Sequence, residues 1–166
     1  KETAMAIGTG DALPEAKLAK MGADGPEVVD VNAMAAGKKL ALFALPGAFT
    51  GTCSTAHVPS FIRTIDDMKA KGVDEVICVS VNDVFVMKEW GEQTGATAAG
   101  IQMLADGDAA FTKAMGRAFS APPVGLIDRS TRYAMVVEDG KITTLQEEEN
   151  PGVCDVSGGE AILATL

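Results

Sequence analysis

The uninterrupted apolar residues Leu40, Ala41, Leu42, Phe43, Ala44 and Leu45 follow the polar pair Lys38-Lys39 and end at Pro46-Gly47. Such a run without polar alternation predicts a strand buried on both faces, as in a parallel sheet covered by helices. Pro-Gly predicts its end. Beyond it, Val58, Phe61, Ile62, Ile65 and Met68 recur at three-four spacing. They predict a helix that runs through Cys53 and His57, is capped by Thr50 or Thr52, and stops at Gly72. A second buried run, residues 75–81, predicts another strand. Asn82-Asp83 then predicts the cap of a helix with Phe85, Val86 and Trp90 inward and Lys88, Glu89 and Glu92 outward.

The rest of the chain continues the alternation. Residues 101–105 read as a strand closed by Asp106-Gly107-Asp108, and 109–115 as a short helix ended by Gly116. Pro122-Pro123 marks a loop. Residues 132–137 and 141–145 flank Glu138-Asp139-Gly140, a hairpin signal. An acidic loop, Glu147-Glu148-Glu149-Asn150-Pro151-Gly152, leads past Cys154 to a last helix capped near Ser157 and running to Leu166. Upstream, 16–22 reads as a short strand or turn and 27–32 as a strand. Residues 1–10 read as a flexible arm, and 11–166 as one domain. Strands alternating with helices, then a hairpin and a helix, predict an α/β fold with a central mixed sheet, an order that a thioredoxin-like fold fits.

Composition narrows the function classes. At 166 residues and 47% hydrophobic, the chain is long enough for one proper core. It carries 14 Lys plus Arg against 23 Asp plus Glu, a net charge of −9, which disfavours nucleic acid and anionic membranes as partners. Aromatic residues make up 5%, too few for base-stacking platforms. No apolar run approaches a membrane span. Three cysteines without a short-spaced pair fit neither a disulfide scaffold nor a zinc framework. They suit a reducing compartment and a catalytic thiol.

Cys53 is the candidate. It sits in or just before the first turn of a helix that follows a buried strand. Free N–H groups and the positive end of the helix dipole gather there and favour a thiolate, the reactive form. Most free cysteines are simply buried small hydrophobes. Here the strand, the Pro-Gly turn, the Thr50 hydroxyl and the following helix argue for an activated nucleophile.

The string Pro46-x-x-x-Thr50-x-x-Cys53 resembles the active-site signature of the peroxiredoxins, and PGAFTGTCSTAHVPSF is similar to their peroxiredoxin 5 or type II subfamily. The segments VSVNDVFVMKEW and LADG extend the resemblance over nearly the whole chain. Gly51 and Val84 stand where the subfamily commonly has Pro. The resemblance raises the thioredoxin-like fold to the expected one. It implies a thiol-dependent peroxidase acting on hydrogen peroxide and alkyl hydroperoxides through a sulfenic acid on Cys53. Thr50 and Arg132 would hold the peroxide, and Pro46, Gly47, Thr52 and His57 would line the pocket. Of the two arginines around Ser130-Thr131, the resemblance favours Arg132 and leaves Arg129 a supporting or surface residue.

His57, the single histidine, stands one helical turn after Cys53. A Cys-His hydrolase pair or two metal ligands are competing readings. One His and one Cys cannot fill a metal site unaided, and a pocket hydrogen-bonding role is preferred over a proton-transfer role. Cys154 and Cys78 are both candidates to resolve the sulfenic acid. Cys154, in a loop bounded by Gly and Pro, ranks ahead of Cys78, which falls in a buried strand. An external thiol from glutaredoxin, thioredoxin or glutathione is the third possibility. No metal, flavin or nicotinamide cofactor is expected.

Further expectations complete the reading. The resemblance implies a homodimer, with Phe49, Val84 and Phe85 as apolar contacts. The chain begins at Lys1, and nothing before Asp11 reads as a signal peptide. The expected compartment is the cytoplasm, or a chloroplast or mitochondrion after transit-peptide removal. The rival from another class is a redox-sensing or holdase-like interaction protein that uses the same thiol as a switch. A thiol transferase is disfavoured by the lack of a Cys-x-x-Cys pair.

Overall fold

The fold is taken from a computed structural model that describes residues 6–166. The elements are β1 (Lys17–Gly22), β2 (Gly25–Asp30), α1 (Val31–Ala35), β3 (Lys39–Leu45), a π-helical turn (Cys53–His57) leading directly into α2 (Val58–Ala70), β4 (Glu75–Ser80), α3 (Val84–Thr94) and α4 (Ala96–Ala99). They continue with β5 (Ile101–Ala105), α5 (Ala110–Ala114), β6 (Ala118–Ala121), a 3-10 turn (Pro122–Val124), β7 (Leu126–Ser130), β8 (Tyr133–Glu138), β9 (Lys141–Glu147) and α6 (Gly159–Leu163). The main sheet has seven strands in the order β2-β1-β5-β4-β3-β8-β9. Its centre, β5-β4-β3, is parallel, and β8 and β9 add antiparallel strands on the β3 side.

The apolar run that opens the argument is the middle of this sheet. Side chains alternate across a strand, so Ala41, Phe43 and Leu45 enter one core and Leu40, Leu42 and Ala44 the other. On the first face Phe43 stacks on Phe61 of α2 with ring centroids 4.0 Å apart. Trp90 of α3, 1% exposed, closes the same cluster. Phe111, Met115 and Tyr133 fill the second face. Each fully buried side chain of this size contributes roughly 1.5–3 kcal/mol of transfer free energy, so both faces are covered and the mixed α/β architecture follows.

Local signals held where chemistry was specific. Asp83 caps α3, its Oδ1 accepting from Val86 N at 2.9 Å. Val84 is the first residue of that helix, a position where Pro is well tolerated. Gly72, at φ 95, follows the end of α2 as expected. Asp139 and Gly140, at φ 48 and 80, make the β8–β9 turn.

Several expectations are corrected. Neither threonine caps the Cys53 helix: Thr50 Oγ1 donates to Gly47 O and Thr52 Oγ1 to Gly152 O. The strand expected over 27–32 ends at Asp30, whose carboxylate accepts from Asn32 N and Ala33 N and starts α1. The loop at Pro122-Pro123 is the tip of a separate β6–β7 hairpin. Phe85 points outward and is 67% exposed, while Met87 and Trp90 form the buried side of α3.

The last helix is shorter than expected. Gly159 N donates to Ser60 Oγ of α2 at 2.8 Å, a cap supplied by the neighbouring helix instead of Ser157. Of the arm expected over 1–10, residues 1–5 lie outside the described residues. Ile7 N donates to Met115 O and Gly10 N to Ile142 O, so this part is tied to the domain.

The α6–α2 contact relies on a missing side chain. A Cβ on Gly159 would land on the Ser60 carbonyl and the Thr64 hydroxyl, whereas one on Gly51 meets nothing within 4 Å. Gly159→Ala is expected to cost about 1–3 kcal/mol by overpacking, lowering the melting temperature by about 2–10 °C. Gly51→Ala, in the first turn of its helix, is expected to change stability by no more than about 1 kcal/mol, in the stabilising direction. Thermal and urea unfolding of the two variants provides the check; equal melting temperatures contradict the close approach of the two helices.

Candidate active site

The site is built where β3 ends. Pro46-Gly47 turns the chain, and Gly47 O accepts both Thr50 Oγ1 (2.7 Å) and Thr50 N (3.4 Å). Ala48 N donates to Asn82 Oδ1 at 3.0 Å, fastening the turn to the end of β4. Arg129 Nη1 donates to Pro46 O at 3.2 Å. It lies so close over Gly47 that a Cβ there would meet it at 2.5 Å. Arg129 is therefore the supporting arginine.

Cys53 opens the π-helical turn. Val58 N reaches back to Cys53 O, and the next residue, Pro59, has no N–H to donate, which favours a widened turn here. Cys53 and His57 are both fully buried on one side of it, as the one-turn spacing suggested. On the outside of the turn, Ser54 Oγ accepts from the Trp90 indole at 3.0 Å, joining it to α3.

Arg132, just before β8, is 1% exposed. Its guanidinium makes three contacts: Nη2 with Cys53 Sγ at 3.1 Å, Nη1 with His57 Nδ1 at 2.9 Å, and Nε with Pro151 O at 2.9 Å. Guanidinium only donates, so His57 Nδ1 must accept, and His57 Nε2 must carry the proton it gives to Ser157 O at 2.9 Å. Burial, then the neighbouring Arg132 charge, pull the His57 pKa down to about 3 against the smaller opposing effect of the Ser157 bond. His57 is thus a neutral bridge with both nitrogens engaged. That geometry leaves no nitrogen to take a proton from Cys53, and the Cys-His hydrolase reading loses its base.

Thr50 spends its hydroxyl proton on Gly47 O, which leaves its oxygen lone pairs to accept a proton donor entering the cleft. This cleft, about 290 Å³, is lined by Pro46, Thr50, Thr52, Phe119, Leu126 and Arg132, with Pro151 and Gly152 on the far wall. Cys53 is fully buried and does not itself line the cleft; its sulfur meets the lining through Arg132. A larger cleft of about 480 Å³ beside β1 and β5, flanked by the Lys20–Glu27 and Lys88–Glu92 ion pairs, contains none of the candidate residues. Among the described residues, no group of His, Cys, Asp and Glu side chains is arranged to hold a metal ion.

The other cysteines separate by environment. Cys78 is fully buried in β4, paired with Phe43 and Met103, and burial pushes its thiol well above the ordinary range. Cys154 is half-buried in the segment before α6, lining a cleft of about 380 Å³ that also touches Thr55, Ser60, Arg63 and Glu160. Burial raises its thiol as well, with Glu148 and Glu160 adding to the effect and Arg132 opposing it.

Sequence reasoning missed Pro151, Ser157 and Glu148. Pro151 and Ser157 act through backbone carbonyls, for which side-chain identity gives no signal. Glu148 stands between two other glutamates and nothing local marks it.

The Redoxin family matches residues 8–163. Peroxiredoxin-2C of Oryza sativa subsp. japonica is 44% identical over 161 residues, covering 96% of this chain and 98% of that protein. Peroxiredoxin-2E-2, chloroplastic, of the same organism is 44% identical over 164 residues, covering 96% of this chain and 72% of that one. Among solved structures, reduced Prx3 of Vibrio vulnificus in complex with hydrogen peroxide superposes with a TM-score of 0.90 at 49% identity, covering 96% of this chain and 98% of that one. The likeness to each of these three proteins covers 96% of the chain, so the thioredoxin-like fold is established and the chain belongs to the peroxiredoxin family, in its type II group, as a thiol-dependent peroxidase with an antioxidant role.

Proposed function

We propose that Cys53 is the peroxidatic thiol and that Arg132 and Thr50 seat the hydroperoxide above it. The observation that carries this is the Arg132 Nη2–Cys53 Sγ contact of 3.1 Å inside a desolvated pocket. A cation there favours the thiolate and the charge that develops as the O–O bond breaks. The thiolate attacks one peroxide oxygen in line. The S–O bond forms as the O–O bond breaks and sulfur gives two electrons to the peroxide; the proton of the attacked hydroxyl passes to the departing oxygen, which leaves as water or alcohol, and the sulfenate takes its proton from solvent. Thr50 Oγ1 accepts from the peroxide hydroxyl while donating its own proton to Gly47 O. The apolar side chains Phe119 and Leu126 at the rim suit alkyl hydroperoxides as well as hydrogen peroxide.

The resulting Cys53 sulfenic acid condenses with a thiol, releasing water and forming a disulfide that a second thiol reduces. Cys154 is favoured as the intramolecular partner, because it is half-buried in an irregular segment outside the sheet. Cys78 would have to leave the centre of the sheet. Glutaredoxin, thioredoxin or glutathione would then complete the cycle, or would attack the sulfenic acid directly. A homodimer fits the exposed Phe49 and Phe85, 51% and 67% accessible. No helix among the described residues is long and apolar enough to cross a membrane. Work in the cytoplasm, or in an organelle such as that named for the chloroplastic rice relative, is part of the same reading.

Cys53→Ser is expected to abolish peroxide consumption with a dithiol reductant; wild-type rates in that variant remove the proposal. Arg132→Lys keeps the charge but loses the planar fork. It is expected to slow oxidation of Cys53 by about 10–100-fold, the equivalent of one charge-assisted hydrogen bond of about 1.5–3 kcal/mol, as read by stopped-flow mixing with peroxide.

His57 supplies an independent check. As the single histidine, it gives one set of imidazole resonances, expected to show no titration between pH 5 and 8. A midpoint near the ordinary 6.5 contradicts the bridge. Stability follows the same sign: the unfolded chain takes up this proton below pH 6.5 and the folded one only near pH 3, so His57 lowers stability as pH falls through that window.

A further inference from the structure

We propose that Glu148 is a positioning residue for the peroxidase reaction: its carboxylate fixes the Ser157 carbonyl, which through His57 sets the Arg132 guanidinium against Cys53. The inference rests on the role given above to Cys53.

Glu148 is fixed from behind by the sheet. Tyr133 pairs with Glu147 in the β8–β9 ladder, and Glu148 N continues the pairing by donating to Arg132 O at 2.9 Å. The side chain then turns inward and is 9% exposed. One oxygen, Oε2, accepts three hydrogen bonds: Asp155 N at 2.7 Å, Ser157 N at 2.8 Å and Ser157 Oγ at 2.7 Å. Its neighbours do different work. Glu147 accepts from Thr131 Oγ1, and Glu149 is exposed.

The clamped segment touches the site at three points, each through a carbonyl. Ser157 O accepts from His57 Nε2, Pro151 O from Arg132 Nε, and Gly152 O from Thr52 Oγ1. Ser157 is the residue Glu148 grips twice, and its carbonyl is the partner His57 Nε2 has here. If Ser157 O moves, the imidazole loses the bond that fixes its tautomer and ring plane. Nδ1 then no longer presents its lone pair to Arg132 Nη1. A guanidinium held by the remaining partners is free to swing in its own plane, and Nη2 leaves the sulfur. Burial alone would raise the Glu148 carboxyl, but the Asp155 and Ser157 bonds and the Arg132 charge outweigh it and keep it below its ordinary range. The clamp is therefore charged in the working protein.

The two roles, shaping a loop and aiming Arg132, are separated by a double-mutant cycle. The single tryptophan, Trp90, is bonded to Ser54 beside Cys53, so its fluorescence is expected to respond to Cys53 oxidation by hydrogen peroxide, with direct peroxide consumption as the parallel readout. Glu148→Ala is expected to slow that oxidation by about ten-fold or more in the wild-type background and by less than about two-fold in the Arg132→Met background. Glu148→Gln, whose amide oxygen accepts from the same three donors, is expected to recover the rate to within about three-fold of wild type. No slowing by Glu148→Ala, or equal slowing in both backgrounds, overturns the proposal.

Should Glu148→Ala lose cooperative unfolding, Ser157→Ala replaces it in the same cycle. It is expected to slow the wild type by about two- to five-fold and to leave Arg132→Met unchanged; no slowing, or equal slowing, again overturns the proposal. Cys53→Ser run alongside separates the two readings. Wild-type peroxide consumption in that variant defeats the peroxidatic role of Cys53, whereas dependence on Cys53 without coupling between Glu148 and Arg132 defeats only this inference.

Discussion

A guanidinium taken almost wholly out of water sets the terms for the rest of this molecule. Removing a charge from water costs several kcal/mol even after relaxation, and the cost is met only if each donor finds an acceptor in good geometry. Arg132 finds three acceptors on two separate segments: the sulfur and imidazole of the π-helical turn and the Pro151 carbonyl of the loop after β9. The turn, the loop and the entry to β8 must therefore come together, and whatever fixes one constrains the other two. The same desolvation that makes the arrangement costly makes its field strong at the sulfur.

The scaffold provides what such a charge needs. A sheet buried on both faces holds β3 and β8 side by side, so the Pro46-Gly47 turn and the residue before β8 emerge at one edge. Pro59 prevents the ordinary helical bond at the start of α2, and the turn that results keeps both Cys53 and His57 facing inward. Trp90 ties the outer side of that turn to α3, and Phe61 packs against its inward-facing His57. The thiol is thus mounted on regular elements, while Cys154 is carried by the irregular segment between β9 and α6.

The acidic character of the chain has an inner as well as an outer use. A run of three glutamates reads as a solvated face, and Glu147 and Glu149 behave as one. Glu148 has its carboxylate folded onto the backbone N–H groups of the segment it precedes. Like charges in sequence are equivalent only until the backbone decides which face each one takes, and here the register of β9 makes that choice.

The residues themselves determined a good deal. The unbroken run 40–45 could only be a doubly covered strand, because no alternation offered a solvent face. Asp83 had to start a helix, because a carboxylate before an apolar-periodic segment satisfies free N–H groups. The position of Cys53 after a strand and a Pro-Gly turn marked it as the candidate nucleophile, and the family resemblance pointed to Arg132, whose guanidinium contacts its sulfur.

Tertiary structure alone decided the rest. Thr50 and Thr52 looked like caps, but carbonyls near in space and not in sequence took their hydroxyls. Ser60 capped a helix on the far side of a loop. Phe85 faced out because α3 turned its Met87–Trp90 side to the core. Glu148, Ser157 and Pro151 entered the site through contacts that span the chain. Periodicity and local spacing carry information about neighbours within a turn or a strand; which buried donor meets which distant acceptor is set only when the segments pack.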